Sequence, residues 1–189
     1  MFVDRPPLLR EAIIVGCGVA SYFATSKELH QKNDFSFAPL REVAWLFLGI
    51  FFTMVPVLDF MRLHAAKFPI NSPAQFYWLS GGPSSVLDNA PTYLTFLANA
   101  MGQHNLTLES ATDVQSFLNF GAPELAAISM GAVFFGATTY IGNSPNFMVK
   151  AITEREGVHA PSFLGFIFKF ALPVLLPVLY LVGWFSFRH

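Results

Sequence analysis

Residues 80–92 read SGGPSSVLDNAPT, and this polar stretch stands between two apolar arms, Pro73–Leu79 and Tyr93–Met101. Each arm is too short to cross a bilayer core, which takes roughly 20 helical residues. Two short apolar arms around a polar tip predict a re-entrant helical hairpin over residues 72–102. Because unpaired backbone cannot face lipid, such a tip must be enclosed by protein or line a wet cavity.

A second interruption, residues 136–146, reads GATTYIGNSPN and divides another apolar segment. Both interruptions contain Asn, a small residue and Pro in that order, which predicts an unwound stretch followed by a new helix. Unwound backbone leaves carbonyl oxygens free to bind a small cation, and the next helix N-terminus offers N–H groups to an anion. Two such breaks in one chain indicate a transporter site near the membrane midplane. The alternative is a proline-kinked helix whose Asn143 and Asn146 bond only to their own backbone.

The composition is typical of a chain surrounded by lipid. Hydrophobic residues make up 53% of the 189 positions and charged residues 12%, which is about half the charged share of a soluble domain. The expected fold class is therefore an all-α membrane protein. A formal net charge of −1, without runs of Lys or Arg, excludes a nucleic-acid-binding surface.

The apolar blocks predict the organisation of the whole chain. Residues 1–34 form an N-terminal segment with a short apolar helix, and residues 35–189 form one transporter repeat. The elements expected in this repeat are a helix at 42–60, the re-entrant hairpin at 72–102, a polar linker at 103–122, a broken helix at 123–156 and a final helix at 162–187. We expect a multi-pass protein of the cell inner (plasma) membrane. The distribution of Lys and Arg favours an orientation in which the hairpin opens to the external face.

Asp88 is the carboxylate of the hairpin tip. A charged side chain at membrane depth is costly, so it usually faces an ion pathway, a bound cation or a proton-exchange site. The simpler interpretation is that Asp88 caps the helix starting near Pro91, because Asp is a favoured N-cap residue. The two roles are compatible, and the sequence leaves both open.

Two motifs, SSVLDNAPTYLTF at 84–96 and GATTYIGNSPNFMVKAI at 136–152, are followed by GVHAPSFLGF and a proline-containing last span. In this order they resemble the C-terminal half of the NhaD-type sodium/proton antiporters. Those belong to the ion transporter superfamily, which also holds citrate, dicarboxylate and arsenite carriers. The resemblance covers residues 35–187. It implies one repeat of an inverted-repeat transporter, with one re-entrant hairpin and one broken helix whose tips share a substrate and sodium site.

The resemblance implies ion-binding or substrate-binding roles for two groups of residues. The hairpin-tip group is Ser84, Ser85, Asp88, Asn89 and Thr92, and the broken-helix group is Thr138, Thr139, Asn143, Ser144 and Asn146. Sodium is expected at Asp88, Asn89 and Asn143. Cofactors are not expected, since sodium ions and protons serve as the transported or coupling ions.

The first functional hypothesis is sodium/proton antiport by alternating access, in which Asp88 binds either ion. The alternative within the superfamily is a sodium-coupled carrier of citrate, dicarboxylate or another anion, although a carboxylate at the tip would repel such a substrate. A third hypothesis, from another class, is a non-transporting membrane scaffold or assembly subunit. An enzyme is not expected, because the sequence contains no Ser-His-Asp set, P-loop or dinucleotide fingerprint.

The length of the chain sets an expectation about partners. Carriers of this kind are usually more than twice as long, and the sequence holds no second copy of either motif. We therefore expect either a fragment of a larger gene product or a chain that pairs with a missing N-terminal repeat or a second chain. A homodimer is one form that such pairing can take, and the lipid bilayer is the remaining partner.

Overall fold

The computed structural model of the chain describes residues 8–33, 37–155 and 157–188. Every regular element in these ranges is helical and none is a strand. This confirms the all-α prediction. The chain divides into two compact units, Met1–Leu48 and Gly49–His189.

The first unit contains two short helices and the beginning of a third. α1 spans Leu9–Ala24 and α2 spans Lys27–Lys32, and α3, Ala38–Leu63, contains the division between the units. Ser26 is the N-cap of α2, because its side chain accepts a hydrogen bond from the Leu29 N–H. With 16 residues, α1 is shorter than the roughly 20 residues of a transmembrane helix.

The second unit carries both segments that the sequence predicts to be interrupted. Its further helices are α4 (Pro73–Ser84), α5 (Asn89–Gln103), α6 (Ala111–Phe120), α7 (Ala122–Phe135), α8 (Ser144–Arg155) and α9 (Phe163–Phe187), with 3-10 turns at Ala65–Lys67 and Gly136–Thr138. Residues 85–88 separate α4 from α5, and residues 139–143 precede α8 without regular structure. Both interruptions lie within the stretches marked by the sequence.

Most of these helices begin where the sequence supplies a capping side chain. The side chains of Ser72, Asp88, Ser110 and Ser162 accept hydrogen bonds from backbone N–H groups at the starts of α4, α5, α6 and α9. The Ser110 cap explains why α6 forms inside the segment expected to be a polar linker, 103–122. Pro73 then occupies the first turn of α4, where its missing N–H costs little.

α4 and α7 make the most extensive helix–helix contact of the second unit. Gly131 permits their close approach, since a Cβ there would collide with the Tyr77 carbonyl oxygen and the Ser80 hydroxyl. One turn further along both helices, Gly81 lies against the Phe135 ring. Both pairs advance in the same direction, so α4 and α7 run parallel.

Tyr77 is the centre of the core on which α4, α7 and α9 pack. It is fully buried, and its hydroxyl donates a hydrogen bond of 2.9 Å to the Leu179 carbonyl in α9. The buried apolar cluster around it also includes Phe76, Met101, Ile128 and Phe135.

α9 is not a uniform α-helix. It is α-helical at Phe163–Phe166 and Leu176–Phe187, with π-helical turns at Ile167–Leu175 between them. Pro173 lies inside the π-helical stretch. Because proline lacks an N–H and crowds the preceding turn, it locally disturbs the regular hydrogen-bond ladder.

Among the described residues, one helix is long and apolar enough to cross a membrane, and this is α9. Its mean hydropathy reaches 2.1 over its best window, of which 11% is buried within the protein. Ala111–Phe120 and Ala122–Thr138 pass the same test only as a pair, bent by 97°. The helix predicted at 42–60 lies inside α3, and its crossing stays a prediction. The re-entrant path of the hairpin, the repeat architecture and the predicted domain boundary at 34/35 stay predictions as well.

Candidate functional site

The hairpin tip lies directly against the interruption that follows α7. The Ser84 hydroxyl, at the end of α4, donates to the Ala132 carbonyl of α7. The Thr139 hydroxyl donates to the Ser85 carbonyl at 2.5 Å, across 54 residues of sequence. The two motifs therefore meet in one place. We call it the junction and define it by Ser84, Ser85, Asn89, Ala132, Gly136, Thr139 and Gly142.

Asn89, the first residue of α5, directs its side chain into the junction. Its amide nitrogen lies 2.9 Å from the Ala132 carbonyl, 3.0 Å from the Gly142 carbonyl and 3.0 Å from the Ser84 hydroxyl. The nitrogen is assigned to this position because hydrogen-bond acceptors surround it. Rotating the amide by half a turn would exchange nitrogen for oxygen and bring four oxygen atoms together.

Two glycines allow the backbones to approach each other this closely. A Cβ on Gly142 would lie 2.6 Å from the carbonyl oxygens of both Ser84 and Ser85. A Cβ on Gly136 would collide with the Asn89 side chain and lie 2.8 Å from the Gly142 carbonyl. The tip and the interruption therefore touch because these two positions carry no side chain.

Thr139 and Asn146 hold the irregular segment in shape. Besides donating to Ser85, the Thr139 hydroxyl accepts hydrogen bonds from the N–H groups of Ile141 at 3.1 Å and Gly142 at 3.0 Å. The Asn146 amide lies 3.5 Å from the Gly136 carbonyl and 3.4 Å from the Thr139 carbonyl, and donates to both. Ser84 is 0% and Thr139 7% exposed, so the junction is enclosed by protein, as non-helical backbone in a membrane must be.

Three other predicted site residues use their hydroxyl groups for hydrogen bonds to backbone carbonyls three or four residues earlier in the chain. Thr92 donates to the Asp88 carbonyl at 3.1 Å, Thr138 to the Phe135 carbonyl at 2.6 Å, and Ser85 to the Gly82 carbonyl at 2.6 Å. Thr92 is 3% exposed. These hydroxyl groups therefore stabilise local structure, and Ser85 joins the junction through its carbonyl.

Asp88 serves as the N-cap of α5, because its carboxylate accepts a hydrogen bond of 2.8 Å from the Asn89 N–H. The half-buried side chain lines an apolar groove of about 370 Å³. The groove lies between α3 and the hairpin, and its walls include Ile50, Met54, Val57, Leu87, Thr92 and Phe96. Asp88 thus faces α3, whereas Asn89 faces α7.

The remaining predicted residues lie at the start of α8. Asn143 is half-buried, and its carbonyl accepts a hydrogen bond from the Asn146 N–H at 3.0 Å. Within the described residues, no hydrogen bond joins the Asn143 side chain to Asp88 or Asn89. Ser144 begins α8, and its side chain lies outside the described part of the chain. Shared binding of sodium by Asp88, Asn89 and Asn143 stays a prediction.

The sequence interpretation missed the contributions of Ala132, Gly136 and Gly142. Ala132 and Gly142 take part through carbonyl oxygens, which every residue carries and no side-chain pattern reveals. The available signal was the pair of glycines on either side of the interrupted segment, since glycine often marks a close backbone approach.

The comparison with known families adds an independent observation. The model of a family described as "Putative citrate transport" matches residues 2–187. The chain belongs to this family. Membership in this family makes the chain a membrane protein with a transport function. This agrees with the superfamily of citrate and other ion carriers that the motifs resemble. The finer assignment to the NhaD-type antiporters stays a prediction. No curated protein and no solved structure matches the chain.

Proposed function

We propose that the chain provides one repeat of a sodium-coupled secondary carrier, with a citrate-class organic anion as cargo and sodium held at the junction. The observation that carries this proposal is the convergence of the Ala132 carbonyl, the Gly142 carbonyl and the Ser84 hydroxyl on the Asn89 side chain. Carbonyls of unwound backbone, such as that of Gly142, and of helix C-terminal ends, such as that of Ala132, coordinate the coupling cation in transporters built from broken helices. Membership in the putative citrate transport family supports the choice of cargo.

In the proposed mechanism, the Asn89 amide distinguishes the sodium-free from the sodium-bound junction. Without sodium, the amide nitrogen donates to the carbonyls and holds the hairpin tip on α7. When sodium enters, the amide turns over and its oxygen joins the other three oxygens around the ion. Sodium then replaces the hydrogen bonds, so the tip stays closed while the helix termini receive the anion.

The direction of Asp88 removes the main objection to an anionic cargo. A carboxylate in the junction would repel citrate, but Asp88 caps α5 and lines the groove toward α3. The N-terminus of α8 begins beside the junction, and the partial positive charge of a helix N-terminus favours a carboxylate.

Sodium/proton antiport is the second candidate, favoured by the same residue. Asp88 is a half-buried carboxylate in a largely apolar groove, and a carboxylate placed at membrane depth suits an exchange of sodium for protons. In this alternative, the groove is the ion pathway and the junction is a structural contact.

Both candidates place the protein in the cell inner (plasma) membrane as a multi-pass carrier. In both, the chain works with an opposing repeat, supplied by a further segment, a second chain or a second copy of this chain. The opposing repeat would contribute its own hairpin tip to a shared site.

The test is uptake by cells that produce the protein naturally, with substitutions introduced into the native gene so that any partner is present. Asn89→Ala is expected to abolish sodium-dependent uptake of labelled citrate. Asn71→Ala, an exposed asparagine outside the junction, is the matched control and should leave uptake intact.

Other outcomes would overturn the proposal in distinct ways. Sodium-driven proton movement that requires Asp88, without citrate uptake, would favour antiport. Unchanged physiology after alanine substitution at both Asn89 and Thr139 would favour a scaffold or assembly subunit.

A further inference from the structure

A second hollow adjoins the groove that Asp88 lines, and we call it the Lys67 hollow. Its volume is about 580 Å³. Pro83 and Phe96 line both the groove and the Lys67 hollow. Like the groove, it lies between α3 and the hairpin, within the second unit. Its walls include Met61, Lys67, Phe68, Ile70, Trp78 and Leu79.

One face of α3 runs along both spaces. Ile50, Met54 and Val57 line the groove, and Met61 lines the Lys67 hollow. Spacings of three and four residues place these four side chains on the same side of the helix. The groove and the hollow therefore follow one another along α3, from the hairpin tip toward the 3-10 turn that succeeds α3. We call the two together the α3 cleft.

Lys67 is the one charged side chain among the described residues that line the Lys67 hollow. It is exposed, and its ammonium group has no ion-pair partner in the described part of the chain, whereas the nearby Arg62 is paired with Asp59 at 3.6 Å. The turn that carries Lys67 lies beside the end of α5, since a Cβ on Gly102 would lie 3.1 Å from the Ala65 Cβ. Lys67 is thus found at the open end of the hairpin, opposite the tip.

The apolar walls of the α3 cleft are only partly covered by protein. Phe68 is 46% exposed, Leu79 50% and Leu87 56%. Apolar surface is stabilised when it is removed from water, and such walls offer nothing to a citrate-class anion. An acyl chain suits them, and the Lys67 ammonium suits a phosphate group. One end cationic and the remainder mostly apolar is the arrangement that complements a phospholipid.

We propose that the α3 cleft binds one anionic phospholipid, with its phosphate on Lys67 and an acyl chain along the apolar face of α3. The lipid joins α3 to the hairpin where their own side chains leave a gap. This site is separate from the junction, because Asn89 faces α7 and the cleft lies on the α3 side of the hairpin. The inference does not depend on the identity of the transported substrate.

The fluorescence of Trp78 tests the proposal, because this ring lines the Lys67 hollow and is 38% exposed. Trp45→Phe and Trp184→Phe leave Trp78 as the single tryptophan of the full chain. The protein is reconstituted into phosphatidylcholine vesicles that contain a varied fraction of phosphatidylglycerol or phosphatidylcholine brominated on the acyl chains. Bromine quenches tryptophan on contact. We expect half-maximal quenching at an about fivefold lower fraction of the brominated phosphatidylglycerol, as one lysine near an anionic headgroup predicts.

Substitutions at Lys67 in the same background test the headgroup contact. Lys67→Ala should remove the preference for phosphatidylglycerol and leave quenching by phosphatidylcholine unchanged, whereas Lys67→Arg should keep the preference. Lys27→Ala is the matched control, since Lys27 is an exposed lysine of α2 that does not line the cleft. Equal quenching by the two lipids before any substitution, or a preference that survives Lys67→Ala, would overturn the proposal.

Gly82→Leu locates the bound chain. Gly82 lines the Lys67 hollow, and a Cβ there meets nothing within 4 Å. A leucine at this position lies over Trp78, four residues earlier on the same face of α4, so quenching by both lipids should fall. Undiminished quenching would show that lipid reaches Trp78 from the side of Tyr180, whose ring lies 6.3 Å away. Absence of quenching before this substitution would show that protein fills the cleft. Either result would contradict the site.

Discussion

Asp88 and Asn89 are neighbours in sequence whose side chains serve different parts of the molecule. Asp88 bonds to the adjacent backbone N–H and caps α5, a contribution of about 0.5–2 kcal/mol to stability that needs no ion. The Asn89 side chain has its polar neighbours in α4, α7 and the irregular segment. A substitution at Asn89 therefore acts on the contact between the two interruptions, whereas a substitution at Asp88 acts on the start of α5.

The first prediction concerns the close approach at Gly142. In Gly142→Ala the new Cβ would lie 2.6 Å from two carbonyl oxygens of the hairpin tip, so one of the two backbones must shift. We expect a loss of about 1–3 kcal/mol in the free energy of unfolding, measured by thermal melting in detergent. Gly82→Ala is the control, since a Cβ there meets nothing within 4 Å. Equal effects of the two substitutions would contradict the contact.

At the scale of elements, α4 is tied both to α7 and to α9. α4 packs closely on α7 because Gly131 and Gly81 carry no side chain. It is joined to α9 by the hydrogen bond from the Tyr77 hydroxyl to the Leu179 carbonyl. Most side chains of α9 do not pack against the other helices and are exposed, including Phe168, Leu172 and Phe185. Such a surface suits lipid or an opposing repeat.

The second prediction tests the tie between α4 and α9. Tyr77→Phe keeps the buried ring but removes the hydroxyl that bonds to Leu179, and we expect a loss of about 1 kcal/mol. Tyr180→Phe is the matched control, because Tyr180 is 51% exposed and should tolerate the change. The measurement is denaturant or thermal unfolding of both variants in the same detergent. A neutral Tyr77→Phe would show that packing alone joins the two helices.

The third prediction concerns the path of the hairpin. With 12 and 15 residues, α4 and α5 are about 18 Å and 22 Å long, which is less than the bilayer core of about 30 Å. Single cysteines replacing Asn71 and His104, in a Cys17→Ser background, should therefore react with an impermeant thiol reagent from the same, external face of the membrane. A cysteine replacing Val158 should react from the opposite face. Labelling of positions 71 and 104 from opposite faces would mean that the hairpin crosses the membrane.

Across the whole molecule, local signals in the sequence located the interruptions reliably, whereas the side chains and backbone groups that contact another segment could be inferred only in part. Glycine and proline act on their own backbone, so the stretches 80–92 and 136–146 could be identified as interruptions without any tertiary information. The capping role of Asp88 was likewise a local inference. By contrast, α6 was not expected within 103–122, because a polar composition hides a short helix that begins at a serine cap.

The candidate site was accessible to sequence reasoning only in part. The residue types at the tips indicated where polar groups concentrate, and Ser84, Asn89 and Thr139 do meet. Which side chain faces the other segment depends on how α4 packs on α7. Asn89 faces α7, whereas Asp88, one residue earlier, faces α3. The participation of the Ala132 and Gly142 carbonyl oxygens could not be predicted, because every residue has a carbonyl and the residue type does not show which one contacts another segment.

Calorimetric titration of sodium into the purified full chain shows whether the junction binds sodium. We expect a saturable sodium-specific signal that potassium does not reproduce, that Asn89→Ala abolishes and that Asn71→Ala retains. Absence of a saturable sodium signal, or one that Asn89→Ala leaves unchanged, would contradict it.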